Sequence, residues 1–211
     1  SSGPKCPKGK NGTDPKCPEG KNGTDPKLPK FLQNDEETKI TNAQKGTLIH
    51  LCMQKLDLNQ KNYSFNEIKE LVNELEARKI ITLKEAEAIN INKIYQFTKS
   101  IIWNEMLEAK EVQREKPFYI NIPAKEIFNE ELDENVLVQG VIDLYYINSK
   151  GELVLVDFKT DYVENRNENI LIDKYKVQLD LYKRALSYAL NRKVDRVYIY
   201  STCFNKEIEV K

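Results

Sequence analysis

Residues 152–160 read ELVLVDFKT, a run of large apolar side chains broken near its end by Asp157 and Lys159. A short apolar run of this kind, bounded by turn residues, reads as a strand. Side chains alternate along a strand, so Val154, Val156 and Phe158 share one face while Leu155, Asp157 and Lys159 share the other. A carboxylate and an ammonium thus project side by side. The preceding run, GVIDLYYI, carries Asp143 and is joined to the first by Asn148-Ser-Lys-Gly151, a hairpin turn. Antiparallel pairing through that turn brings Asp143 within a few residues of Asp157.

Further strands are predicted at Phe118–Ile122, Val136–Ile147 and Arg196–Thr202, with a helix over about Ile170–Leu190 before the last of them. Upstream the period is helical. Thr47 can cap a helix holding Leu48, Leu51, Cys52 and Leu56. Ser64-Phe-Asn-Glu67 is a capping-box pattern, followed by Ile68, Leu71, Val72 and Leu75 at i, i+3, i+4, i+7. Thr82-x-x-Glu85 repeats the signature, and a mostly helical stretch runs on to about Lys110. The order of elements predicts an α/β domain over residues 28–211: a helical part at 40–112 and a mixed sheet with helices on its faces at 113–211.

Residues 1–27 read differently. KCPKGKNGTDP (5–15) is followed by KCPEGKNGTDP (16–26), and this stretch has almost nothing apolar to bury. It is expected to be a mobile leader or an appended segment. Its GKNGT fails as a phosphate loop, because no Ser or Thr follows the Gly-Lys directly and no strand precedes it.

The 211 residues include 33 Lys+Arg and 33 Asp+Glu, so nothing in the total charge argues for nucleic acid. A local case exists. Residues 171–200 hold Lys174, Lys176, Lys183, Arg184, Arg192, Lys193 and Arg196 against Asp173, Asp180 and Asp195. No apolar run approaches the roughly 18 to 20 residues needed to span a bilayer. The four cysteines form no CxxC pair. A reducing, cytoplasmic setting is the simplest expectation.

Two carboxylates from adjacent strands suit a hard divalent cation such as Mg2+, and a nearby Lys can act on the cation's water. That combination is a hydrolytic site for phosphodiesters. The acid-x-Lys triplet alone is unspecific, since seven others occur, beginning at Asp14, Glu19, Asp25, Glu37, Glu67, Glu108 and Glu209.

Taken in order, GTLIH (46–50), REKPF (114–118), VQGVIDLYY (138–146), LVDFKTD (155–161) and QLDLY (178–182) are more specific. The set resembles the RecB-type nucleases of the PD-(D/E)XK superfamily, and within them the AddA-type nuclease domains of helicase–nucleases. The resemblance covers about residues 28–210. It implies a restriction-endonuclease-like fold and a Mg2+- or Mn2+-dependent deoxyribonuclease acting in DNA repair and recombination. The partners it implies are DNA, a helicase portion of the parent chain, and a second subunit of AddB type. His50, Asp143, Asp157 and the Phe158 carbonyl match the metal ligands, Lys159 the catalytic lysine, and Gln178 and Tyr182 the QxxxY motif. Glu115 matches a frequent acidic position of open role. The strand reads DFKT where DYKT is commoner, and no four-cysteine iron–sulfur arrangement or helicase motif is present. Two other readings stay open: a noncatalytic DNA-binding module of the same fold, and a standalone restriction-like or junction-resolving endonuclease.

Overall fold

The computed structural model describes residues 39–125, 134–164 and 167–210, and the N-terminal repeat lies outside them. The chain first lays down α1 (Asn42–Lys55), α2 (Phe65–Ala77), α3 (Leu83–Ala88), α4 (Ile91–Phe97) and α5 (Ile101–Leu107). Capping boxes open the first three, at Thr41/Gln44, Ser64/Glu67 and Thr82/Glu85. Each satisfies two backbone N–H groups that a helix start leaves orphaned.

One helical expectation is corrected. Thr47 is no cap: Thr41 and Gln44 close a box earlier in the chain, and Thr47 sits inside α1 donating its hydroxyl to the Ala43 carbonyl. The mostly helical stretch to about Lys110 is three helices, with breaks after α3 and after α4. At the second break the Ser100 hydroxyl accepts the Trp103 N–H and restarts the chain as α5, which turns Ile102, Trp103 and Met106 into the core.

Five strands follow: β1 (Glu111–Pro123), β2 (Asn135–Ile147), β3 (Leu153–Lys159), β4 (Arg196–Ser201) and β5 (Lys206–Glu209), paired in that order. All neighbours are antiparallel except β3 and β4, which are parallel and joined across α6 (Asn169–Leu190). The sheet is therefore mixed, with helices on both faces, as the sequence predicts. β1 starts before Pro117, and β5 is a strand that the sequence does not predict. Only Ile208 of its four residues is buried, which is too little apolar pattern to announce a strand.

Alternation along β3 sets the two layers. Val154, Val156 and Phe158 pack with Leu144, Tyr146 and Tyr200 against the helical layer. Leu153 and Leu155 pack with Val197 and Ile199 against Leu171, Leu179 and Leu186 of α6. Each such side chain contributes roughly 1.5–3 kcal/mol when fully buried. Phe97 stands edge-on to both Phe158 and Tyr200, at 5.2 and 4.9 Å, which fixes the carboxyl end of β3. Cys52 is buried and Cys203 is half-buried.

The local basic run does not form one free patch. Lys174 pairs with Asp161, Arg192 with Asp195, and Arg196 with Glu105. Arg196 and Tyr146, which donates to Glu105 at 2.7 Å, tie down the amino end of β4, away from the carboxyl end of β3.

Gly46 decides how closely α1 approaches the sheet. A Cβ there would lie 2.5 Å from Thr160 Oγ1, just past the end of β3. Alanine in place of a helical glycine ordinarily gains about 0.5–1 kcal/mol. Here Gly46→Ala is expected to lose about 1–3 kcal/mol instead, through overpacking, and Thr160→Gly in the same chain should restore the gain. Thermal melts of the three proteins check it.

Candidate active site at the carboxyl end of β3

Pairing between β2 and β3 runs to Leu144 and Val156. One step further, where Asp143 would face Asp157, the Phe158 N–H is instead capped by the Asp143 carboxylate, Oδ2 accepting at 2.7 Å. The hairpin expectation thus holds: Gly151 N–H donates to the Asn148 carbonyl in the turn, and the two acids become neighbours. On the other side of Asp143, the ladder to β1 skips Glu115, which takes a left-handed φ of 53°. There the β1–β2 ribbon changes sides: Val112 and Leu144 pack on the helical layer, whereas Phe118 and Ile142 pack on α6. A non-glycine residue in that conformation costs roughly 1–2 kcal/mol, and such strain collects at functional sites.

His50 enters from α1. Its ring stands edge-on to Phe158 at 5.7 Å, and its Nδ1 lies 3.7 Å from Asp143 Oδ2. Burial, with Lys159 assisting, holds the imidazole below its ordinary pKa, against the opposing pull of Asp157. It is therefore neutral near pH 7, with a lone pair free to bind a cation.

Asp157 is 1% exposed. Burial pushes its pKa up to about 6 and also raises that of Asp143, with Lys159 pulling both down. Glu115 is raised as well, by burial and then by Asp143. The Asp157 Oδ2 is buried and lies 2.7 Å from Lys159 Nζ, in a geometry that leaves the oxygen poorly satisfied. The interaction is charge against charge. No three His, Cys, Asp or Glu side chains among the described residues converge as a closed metal site. The candidate donors are adjacent rather than convergent.

Lys159 is held from α6. Its Nζ donates to Gln178 Oε1 at 3.1 Å and lies 4.1 Å from the centre of the Tyr175 ring. Gln178 Nε2 in turn donates to the Tyr182 hydroxyl at 2.7 Å, and the Tyr182 ring stands edge-on to Phe118. Gly140 leaves room for that pair, since a Cβ there would lie 2.7 Å from Phe118 Cε1. Gln178 and Tyr182 thus act as one unit toward Lys159, as the i, i+4 spacing predicts.

Tyr175 and Asp161 belong to the site although the sequence did not single them out. Asp161 accepts from the Tyr175 hydroxyl at 2.8 Å and from Lys174 Nζ at 2.5 Å. A signal for the tyrosine exists: Tyr175, Gln178 and Tyr182 are i, i+3, i+7 on one helical face. A cleft of about 450 Å³ opens over this assembly, with His50, Gln54, Glu115, Lys159, Asp161 and Tyr175 in its wall. Asp143 and Asp157, close in sequence or register to these residues, are not in its wall.

The arrangement suits cation-assisted hydrolysis: a buried, poorly satisfied carboxylate oxygen, a second carboxylate, a neutral imidazole, and an ammonium clamped beside them. Comparison with known proteins points the same way. Residues 26–208 match the model of the PD-(D/E)XK nuclease superfamily. Among curated relatives, the A subunit of the ATP-dependent helicase/nuclease of Thermoanaerobacter sp. (strain X514) is 40% identical over 170 residues, covering 79% of this chain. The proteins of the same name from Clostridium acetobutylicum and Alkaliphilus metalliredigens are 37% and 41% identical over 79% and 81% of the chain. In each case the match spans only 14% of the relative's own length. With the mixed sheet, the ordered motifs and a family match over nearly all of the described residues, the chain belongs to the PD-(D/E)XK nuclease superfamily.

Proposed function

We propose that this chain hydrolyses phosphodiester bonds in DNA with Mg2+ or Mn2+, as the nuclease part of an AddA-type helicase–nuclease. The observation that carries the reading is the buried, poorly satisfied Asp157 Oδ2, 2.7 Å from Lys159 Nζ, on the strand next to Asp143, which itself lies 3.7 Å from His50. The donor set fits a hard cation: the Asp143 and Asp157 carboxylates, the His50 imidazole and the Phe158 carbonyl would hold it. When bound, the ion supplies positive charge to phosphate oxygens and acidifies a water.

The chain's own groups do the rest. Lys159, kept in place by Gln178 and the Tyr175 face, presents its ammonium where it can orient the attacking water and hold a proton in transit. Asp143 fixes the Phe158 backbone and with it the carbonyl that belongs to the donor set. The relatives' length suggests the setting: a helicase portion, together with a partner of AddB type, delivers strands for exonucleolytic trimming during double-strand-break repair in the cytoplasm. Among the described residues no helix is long and apolar enough to cross a membrane.

Proton competition tests the donor set. Because burial raises Asp157 from 3.8 to about 6, the folded chain holds this proton more tightly than the unfolded one. The resulting stability is fully present below the unfolded value and is lost as pH rises through about 6. A cation must displace the same proton. Mn2+ affinity is therefore expected to rise by about tenfold per pH unit for each proton displaced, and to level off above about 6. Calorimetric titration across that range, alongside digestion of labelled linear DNA, checks both. A pH-independent affinity would remove these carboxylates from the donor set.

A further inference from the structure

A second cavity, of about 580 Å³, adjoins the catalytic cleft and shares Ala43, Gly46, Thr160 and Asp161 with it. The close approach of Gly46 to Thr160 lies between the two. Lys45, Lys93 and Tyr162 line the second cavity and not the first.

Those three side chains have no evident structural task. Among the described residues neither Lys45 nor Lys93 has a carboxylate or hydrogen-bond acceptor for its ammonium, although Lys93 is half-buried. Two ammonium groups with no acidic partner leave this wall with positive charge that favours an anion. Asp161, the carboxylate in the same wall, is already committed to Lys174 and Tyr175. Tyr162 is 83% exposed, an amphipathic ring turned to solvent directly after the motif strand.

Lys45 precedes His50 by little more than a turn of α1, about 7–8 Å along its axis. Tyr162 is at most about 10 Å of chain beyond Lys159. Whatever occupies the second cavity therefore lies next to whatever reacts in the first. Two unpaired ammonium groups suit backbone phosphates, and an exposed ring suits a base that has left its stack. A duplex offers no such base.

Resting on the nuclease reading above, we propose that Lys45, Lys93 and Tyr162 form a subsite for a single DNA strand beside the reacting phosphate. The lysines hold flanking phosphates and Tyr162 stacks under an unpaired base. The subsite favours strands already separated when they reach the cleft.

The test separates binding from cleavage. Anisotropy of a labelled single-stranded oligonucleotide in EDTA reports binding, and initial rates in Mg2+ report KM and kcat. The proteins compared are the wild type, the double variant Lys45→Gln/Lys93→Gln, Tyr162→Ala, and a control, Lys150→Gln, in the β2–β3 turn at the other end of β3. The double variant should bind about tenfold more weakly and show a KM raised to match, with kcat kept. Its slope of log affinity on log salt should fall by about 1.4, at about 0.7 for each phosphate that goes unbound. Tyr162→Ala should weaken single-strand binding by about fivefold or more and leave duplex binding unchanged. Wild-type affinity and KM in both variants, an equal loss in the Lys150→Gln control, or a duplex bound as tightly with Tyr162→Ala silent, overturns the subsite. If cleavage persists in those cases, the nuclease reading stands without it. Binding that depends on Lys45, Lys93 and Tyr162 in a wild-type protein that cleaves nothing with Mg2+ or Mn2+ keeps the subsite and removes the nuclease reading. No DNA binding overturns the subsite, and no binding together with no cleavage overturns both.

Discussion

Asp157→Asn protein is expected to fold, to lose its uptake of Mn2+, and to digest linear DNA more than about a hundredfold more slowly than the wild type. That factor is the upper range for losing an outer partner of a metal site, and a direct ligand should exceed it. Asparagine keeps the volume, so the packing of Leu155 and Phe158 on either side of position 157 is undisturbed. Lys159 keeps Gln178 and the Tyr175 ring. What goes is a buried anion whose Oδ2 is poorly satisfied. Asp157→Ala should behave alike in cleavage, with an added cavity cost of about 2 kcal/mol or more. Melting curves separate the two kinds of loss. Undiminished digestion by either purified variant would place the chemistry elsewhere in the molecule.

The parts of this structure that are legible in the sequence are those governed by short-range rules. Alternation in β3 correctly divides Val156 from Asp157, and the Asn148–Gly151 turn sets the register that brings Asp143 to Asp157. The Ser64 and Thr82 capping boxes mark two helix starts, and the Gln178/Tyr182 spacing marks a shared face. The failures come from interactions between segments distant in sequence. Thr47 looks like a cap because Gly46 precedes it, but Gly46 is there to admit Thr160, more than a hundred residues later. Glu115 at φ 53° is set by the change of side in the β1–β2 ribbon, which no local pattern announces. In the basic run, the pairing of Lys174 with Asp161 and of Arg196 with Glu105 is equally unannounced, because those acids belong to other elements. Tyr175 escapes notice for a different reason: an aromatic at helical spacing reads as core, and only the structure puts its ring under an ammonium.

Lys159→Ala is expected to separate two properties that Asp157→Asn removes together. Cleavage should fall by about a hundred- to ten-thousandfold, the range for a positioned proton-transfer group. Mn2+ should bind more tightly than to the wild type, because the ammonium now 2.7 Å from Asp157 Oδ2 competes with any cation for that oxygen. A residue that merely props the fold would weaken both. Two variants on α6 refine the assignment. Tyr175→Phe keeps the aromatic face beneath the ammonium and gives up the hydroxyl bond to Asp161, whereas Tyr175→Leu gives up both. If the ring positions Lys159, kcat should fall by about tenfold in the leucine variant and stay near wild type in the phenylalanine variant, with KM little changed in either. Equal losses would shift the role from the ring to the Asp161 bond. Unaltered Mn2+ affinity in Lys159→Ala would show that the lysine and the cation do not compete, and that Asp157 serves only one of them.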